Sequence, residues 1–305
     1  MYTGYQMSEL VRKLLQEDSG SGFLDSQLTY QLLNTAAKKT ATKTKCFTGE
    51  QTITTIAEQS AYDLEPDFLE LYLRDSSGYD LVKLYDGTST VFPTRAVRED
   101  IFQANNTTSV ALPTRFYVKD KAIGDNVTGT ATGDGAATAG ACTLTASAST
   151  FSTSGVKAGD TIYNTVDGSN GVVLSVTSET ALSTALFGGT NNDWSTNDTF
   201  VIVPQGRYQI VFDPPFSTAG YTVTIPYVKK PAPVYSNYGY FPFPNEEFSV
   251  ALCYLAAWLY KYRDGEPNFG NAWYQFWAAE IGANSGATRA ATKRGRFKVN
   301  FKKRS

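Results

Sequence analysis

Arg207-Tyr-Gln-Ile-Val-Phe212, the turn Asp213-Pro-Pro215 and Gly220-Tyr-Thr-Val-Thr-Ile-Pro-Tyr-Val228 follow one another late in the chain. Both apolar runs have the strand-like character and the bounding turn residues that predict β-strands. Strand-like runs of the same kind occur upstream, and the last of them is Pro113-Thr-Arg-Phe-Tyr-Val118. The sequence therefore predicts one antiparallel region whose strands are separated by a long insertion.

The intervening residues 122–204 have a different composition from their flanks. They are rich in Gly, Ala, Ser, Thr, Asn and Asp, with short β-branched stretches between turns such as Asp167-Gly168 and Gly188-Gly189. They also contain seven acidic residues against the single basic residue Lys157. We expect a small all-β domain here, because the entropic cost of lengthening an exposed loop grows only slowly with its length.

Helical periodicity marks both ends of the chain. Asp25 is a good N-cap for the second helix, and Glu246 and Glu247 suit the positive first turn of a later one. The later helix is apolar on most sides, which predicts a central, buried position. The residues expected to pack these helices, within the subunit or between subunits, are Leu10, Leu14, Leu28, Leu32, Phe248, Leu252, Leu255, Trp258, Trp273 and Trp277.

These patterns predict an α+β fold. A helical bundle from the N- and C-terminal helices packs with an antiparallel β region, and an all-β domain is inserted into it. The predicted main domain comprises residues 1–121 and 205–290, the insert residues 122–204, and a basic C-terminal arm residues 291–305.

The C-terminal arm combines positive charge with aromatic side chains. Alternation around Arg296 and Phe301 resembles a strand that adds to the sheet edge of a partner, with charge steering the encounter. A solvated tail and contact with nucleic acid are the alternatives. The arm residues assigned to docking are Lys293, Arg294, Arg296, Phe297, Lys298, Phe301, Lys302, Lys303 and Arg304.

The composition argues against most catalytic and cofactor chemistry. Histidine is absent, which removes the commonest general base and metal ligand. Three cysteines lie far apart, no Gly-Lys-Ser/Thr closes the glycine-rich stretch, and the acidic turn residues do not have the spacing of a calcium loop. We therefore predict a protein that is not an enzyme and has neither a cofactor nor a metal.

Two further features bear on location and partners. The start lacks the pattern of a secretion signal, and the longest apolar run, Phe248 to Tyr260, is too short to span a bilayer. We therefore expect a soluble protein with no membrane partner. Aromatic residues make up 13% of the chain while charged residues make up only 18%, which favours extensive contact between subunits.

The segment from Ala57 to Leu71 carries a resemblance to a known family. It contains Tyr62-Asp-Leu64-Glu65-Pro66-Asp-Phe-Leu69, which resembles the Tyr-x-Leu-Pro-x-Asp-Phe-Leu segment of head-to-tail adaptor subunits of tailed phages. Glu65 is a departure that lengthens the spacing by one residue. The order of elements over residues 1–119 and 207–291 resembles that family too, and the insert resembles small β modules of phage virion proteins.

This resemblance implies a structural protein of the virion neck, at the head-tail junction, assembled in the host cytoplasm. Such adaptors form a ring of about twelve neighbouring copies below the portal protein ring. The ring extends the DNA channel, without sequence-specific contact to the DNA, and offers a platform to a downstream tail or nozzle protein. The alternative is a virion surface-binding module whose inserted β domain recognises a host glycan or receptor.

Overall fold

The structure is a computed structural model of the 305-residue chain, and it describes residues 2–17, 24–71, 82–96, 111–121, 124–138, 140–243, 246–263 and 267–292. Four helices lie within these ranges: α1 (Gly4–Leu15), α2 (Ser26–Thr44), α3 (Glu247–Arg263) and α4 (Pro267–Thr292). Fifteen strands lie there too: β1 (Thr48–Thr54), β2 (Ala61–Asp63), β3 (Phe68–Leu71), β4 (Lys83–Tyr85), β5 (Thr90–Val91), β6 (Thr94–Arg95), β7 (Arg115–Lys121), β8 (Val127–Thr130), β9 (Cys142–Thr145), β10 (Thr161–Asn164), β11 (Asn170–Ser178), β12 (Ala181–Phe187), β13 (Thr199–Val203), β14 (Arg207–Asp213) and β15 (Thr222–Lys229).

The first two helices begin at side-chain caps. Thr3 Oγ1 accepts from the Gln6 backbone N–H at 3.3 Å, while Gln6 Oε1 accepts from the Thr3 N–H at 2.9 Å, which is a reciprocal capping box. The predicted cap Asp25 accepts from the Leu28 N–H at 2.6 Å and so begins α2. Both ends of the chain thus contribute helices to one hydrophobic cluster, which the segment 234–243 also enters through Phe241 and Phe243.

Two sheets share a second hydrophobic cluster and form a half-barrel. A five-stranded sheet has the order β1-β15-β4-β5, with β3 also paired to β15, and a four-stranded sheet has the order β2-β14-β7-β6. Between them lie Phe116, Phe212 and Phe216, which are almost fully buried. Tyr62 packs edge-on against Phe216 with ring centroids 5.9 Å apart, so the segment around Tyr62 is a structural part of this core.

The third sheet has six strands in the order β8-β13-β10-β11-β12-β9 and curls into a small barrel. Its two edges meet, because the Thr132 N–H donates to the Thr145 carbonyl at 2.7 Å and Gly133 bridges Thr145. Trp194 fills the interior, and its Nε1 donates to Thr184 Oγ1 at 2.9 Å. The contact of Thr132 and Gly133 with Thr145 joins the two edges of the sheet at one corner, just after β8 ends at Thr130.

The predicted α+β fold with a helical bundle as the core of its main domain is wrong. The fold is β-rich: three sheets and a half-barrel dominate it, and four helices occur in the described ranges. The physical reason is that many strands are short, such as Thr90–Val91 and Thr94–Arg95, and expose polar residues, so apolar periodicity gives them little weight. The predicted division into residues 1–121 with 205–290, 122–204 and 291–305 stays a prediction.

Candidate functional site

The ten residues predicted to pack the helices all touch the helical cluster. Four are almost completely buried inside it, namely Phe248, Leu252, Leu255 and Trp277. The other six are partly buried against it, namely Leu10, Leu14, Leu28, Leu32, Trp258 and Trp273. Packing within the subunit therefore accounts for the first four, and only the partly exposed residues have surface left for a neighbouring copy.

Five aromatic side chains of α3 and α4 keep some exposed surface. We call this set the aromatic face; it consists of Tyr254, Trp258, Tyr262, Tyr274 and Phe276. Their rings form two contact groups: Trp258 lies 5.0 Å from Tyr274 and 5.2 Å from Tyr262, and Tyr254 lies 5.6 Å from Phe276. Tyr262 is 60% exposed and Phe276 54% exposed. A preformed, rigid aromatic surface of this kind is typical of protein interfaces.

Lysines of α2 border the aromatic face. Lys39 Nζ lies 5.7 Å from the Trp258 ring centroid, and Lys43 Nζ lies 4.5 Å from that of Trp277. The sequence indicates only that these lysines complement the negative end of α2. A cation–π contact becomes stronger when a partner covers the site and excludes water from it. The indole N–H of Trp258 is buried and has no hydrogen-bond partner among the residues that the structure describes.

The acidic turn residues of the barrel have structural partners. Asn164 is buried, and its side-chain amide donates to Asp198 Oδ2 at 2.7 Å and to Asp167 Oδ2 at 3.1 Å. Desolvation, followed by the charges of Asp198 and Asp193, raises the pKa of Asp167. In the part of the chain that the structure describes, no group of three or more His, Cys, Asp or Glu could hold a metal ion.

The thiol groups are buried rather than activated. Burial raises the pKa of Cys253, whose Sγ lies 3.3 Å from the Ser249 carbonyl within α3. Burial also raises the pKa of Cys142, inside the barrel. A raised pKa leaves a thiol protonated at neutral pH and therefore unreactive. These cysteines serve packing, and the absence of an enzyme activity remains a prediction.

The remaining site predictions concern the arm and the membrane. All arm residues assigned to docking, from Lys293 to Arg304, lie outside the described residues. Within the described ranges, no helix combines the length and apolar character needed to cross a bilayer.

Neither a protein-family model nor a curated protein matches the chain. The resemblance to phage adaptors therefore rests on the sequence features around Tyr62 and on the order of elements, and it stays a prediction.

Proposed function

We propose that the chain is a non-enzymatic structural subunit of a tailed-phage virion, which assembles with neighbouring copies into an adaptor ring between portal and tail. The aromatic face carries this proposal. Large exposed aromatic patches on soluble proteins mark interaction sites, because covering each 100 Å² of apolar surface contributes about 2.5 kcal/mol. The rings are also held in place by their mutual contacts, which reduces the entropy lost on association.

In a ring, each subunit contacts its two neighbours through two different surfaces. One surface of a subunit packs against the other surface of the next subunit. Such head-to-tail contacts close into rings when the rotation per subunit permits. The aromatic face would be one half of this contact, with Lys39 and Lys43 at its border steering an acidic opposite surface. The DNA channel would run through the ring, and the basic arm would dock to the portal.

Sedimentation velocity and negative-stain imaging of the protein, alone and with purified portal rings, test the proposal. We expect ring-shaped assemblies that Phe276→Glu and Tyr262→Glu each abolish, because a carboxylate there would be buried without a partner. Tyr163→Glu is the matched control: Tyr163 is 42% exposed but lies on β10 of the barrel. Rings that survive both aromatic-face variants, or wild-type protein that stays monomeric beside portal rings, would contradict the proposal.

The surface-binding alternative is supported by the barrel, which exposes Tyr163 and, at 61%, Val166 on neighbouring positions. Under that alternative, Tyr163→Glu would reduce attachment of particles to host cells while leaving ring assembly intact. Under the adaptor proposal, neither property depends on Tyr163.

A further inference from the structure

A large cleft lies where the helical cluster, the half-barrel and the barrel meet. Its volume is about 890 Å³, and its lining includes Gln31 and Lys38 of α2, Lys230 after β15, and Lys157 of the barrel. That volume falls within the range of small-molecule sites, about 300 to 1,000 Å³. The cleft is not part of the aromatic face and takes no part in the proposed ring contact.

The side chains that form the cleft are held rigidly on all three sides. Gln27 of α2 donates to Asn170 of β11 at 3.1 Å, and the Phe187 ring lies 5.4 Å from Tyr235. Arg207 Nη2 contacts both carboxylate oxygens of Asp160, at 2.6 and 2.7 Å. These contacts join the barrel to the helical cluster and to the half-barrel, so the cleft exists before any ligand binds.

Positive charge exceeds negative charge in this cleft although the whole chain has a net charge of −2. The cationic side chains in the lining are Lys38, Lys157, Arg207, Lys229 and Lys230, whereas the acidic ones are Glu65, Asp67 and Asp160. One of these acids, Asp160, is paired with Arg207. Asp67 accepts a hydrogen bond from the Tyr227 hydroxyl at 2.9 Å, which does not neutralise a carboxylate.

Four of these cations, namely Lys38, Lys157, Lys229 and Lys230, form no ion pair with any residue that the structure describes. Among them, Lys38 and Lys230 both line the cleft and are near enough for the charge of Lys38 to act on Lys230. Lys230 is half-buried and donates from Nζ to the Pro66 carbonyl at 3.3 Å. Burial lowers the pKa of Lys230; the charges of Lys38 and Arg207 also lower it, and the charge of Asp67 opposes them. An anion bound in the cleft would favour the charged form of Lys230.

We infer that the cleft binds a small organic ligand that carries two or more oxyanion groups, phosphate or carboxylate, through the ammonium groups of Lys38 and Lys230. Its body would pack against the apolar part of the lining, which is formed by Phe47, Leu174, Phe187 and Tyr235. Gln31 adds amide hydrogen-bonding groups on the same face of α2 as Lys38. The inference concerns a single subunit, so its failure would leave the proposed ring assembly untouched.

Isothermal titration calorimetry of the full chain at low ionic strength tests this inference. The probes are pyrophosphate and citrate, which separate phosphate from carboxylate ligands, and pyromellitate, which adds an aromatic body. We expect saturable binding of at least one of the first two probes at one site per chain, and tighter binding of pyromellitate than of citrate. Each lost charge-assisted hydrogen bond weakens binding about tenfold, so Lys38→Gln and Lys230→Gln each have this effect.

Lys83→Gln is the matched control, because Lys83 is an exposed lysine on β4 outside the cleft lining. Its affinity for the probes should equal that of the wild type. Lys38 is exposed, so its variant retains the fold even if the Lys230 variant does not, and circular dichroism verifies both. Absence of saturable binding, or equal affinity in the Lys38 variant and the Lys83 variant, would overturn the inference.

Discussion

Lys121 and Arg207 face each other as paired residues of β7 and β14, so the chain enters and leaves the barrel at adjacent positions of one antiparallel ladder. A two-residue turn can join such positions in a β-hairpin. The whole of residues 122–206 can therefore be replaced by Asn-Gly without displacing either strand. We expect this shortened protein to be folded and to unfold cooperatively, as measured by circular dichroism during thermal melting.

The shortened protein removes Asp160, the partner of Arg207, so Arg207→Thr belongs in the same chain. The barrel alone, residues 124–204, is the companion sample, and it carries Asp160→Asn because Arg207 is absent from it. It should also melt cooperatively, because it has its own hydrophobic cluster. A shortened protein without native-like near-ultraviolet signal would show that the rest of the chain needs the barrel to fold.

The ion pair between Arg207 and Asp160 should be strongly coupled. Asp160 is 1% exposed, and it also accepts from the backbone N–H groups of Lys157 and Gln205. Arg207→Met leaves that carboxylate buried without its cation, which costs about 3–5 kcal/mol in free energy of unfolding. Urea denaturation measures the loss. A double-mutant cycle with Asp160→Asn isolates the coupling energy, and additive effects would mean that the pair contributes nothing.

Two glycines, Gly171 on β11 and Gly206 just before β14, should respond differently to an added methyl group. A Cβ at Gly171 on β11 would lie 1.7 Å from the Ala185 carbonyl oxygen, whereas one at Gly206 would meet nothing within 4 Å. Gly171→Ala should therefore destabilise the barrel by about 1–3 kcal/mol, because the strand backbones must separate. Gly206→Ala should leave the melting temperature of the barrel unchanged, and equal effects of the two substitutions would contradict this packing.

Cysteine reactivity should report separately on two parts of the fold. Cys142 lies in the barrel and Cys253 in the helical cluster; both are buried, and burial raises the pKa of each thiol. At pH 8 both thiols stay protonated, so alkylation by iodoacetamide requires local opening. We expect mass spectrometry at rising urea to show Cys142 and Cys253 modified at different midpoints. A single common midpoint would show that barrel and helices unfold together.

Deleting residues 291–305 should abolish docking to portal rings while leaving assembly through the aromatic face intact. In the proposed assembly, the seven basic residues between Lys293 and Arg304 would supply the charge that steers and holds an acidic partner. Co-sedimentation with portal rings measures docking. Docking that survives the deletion would remove the arm from the proposal.

The sequence predicts where a helix begins or a strand ends when a cap or a turn residue marks that position. The Asp25 cap begins α2, and the turn at Asp213-Pro-Pro215 follows a strand that ends at Asp213. Composition alone also indicates β structure between residues 122 and 204. These features depend on neighbours along the chain, so the chain itself contains the relevant information.

The relative content of helix and sheet is not predictable in the same way. In a strand such as β6, both residues, Thr94 and Arg95, are exposed, and only its pairing with β7 makes it part of a sheet. The aromatic face was missed for a related reason. Apolar spacing suggested that α3 is buried on most sides, but Tyr262 is largely exposed, because burial depends on which neighbours are present and not on side-chain character.

The adjacent entry and exit of the barrel at Lys121 and Arg207 have an evolutionary consequence. Because its two ends emerge about 5 Å apart, the barrel constrains the backbone of its host at one hairpin, and its other constraints are side-chain contacts such as the pair of Asp160 and Arg207. It can be gained, lost or exchanged by recombination at a single hairpin tip. Related chains should therefore vary most in this one interchangeable cassette while the surrounding scaffold persists.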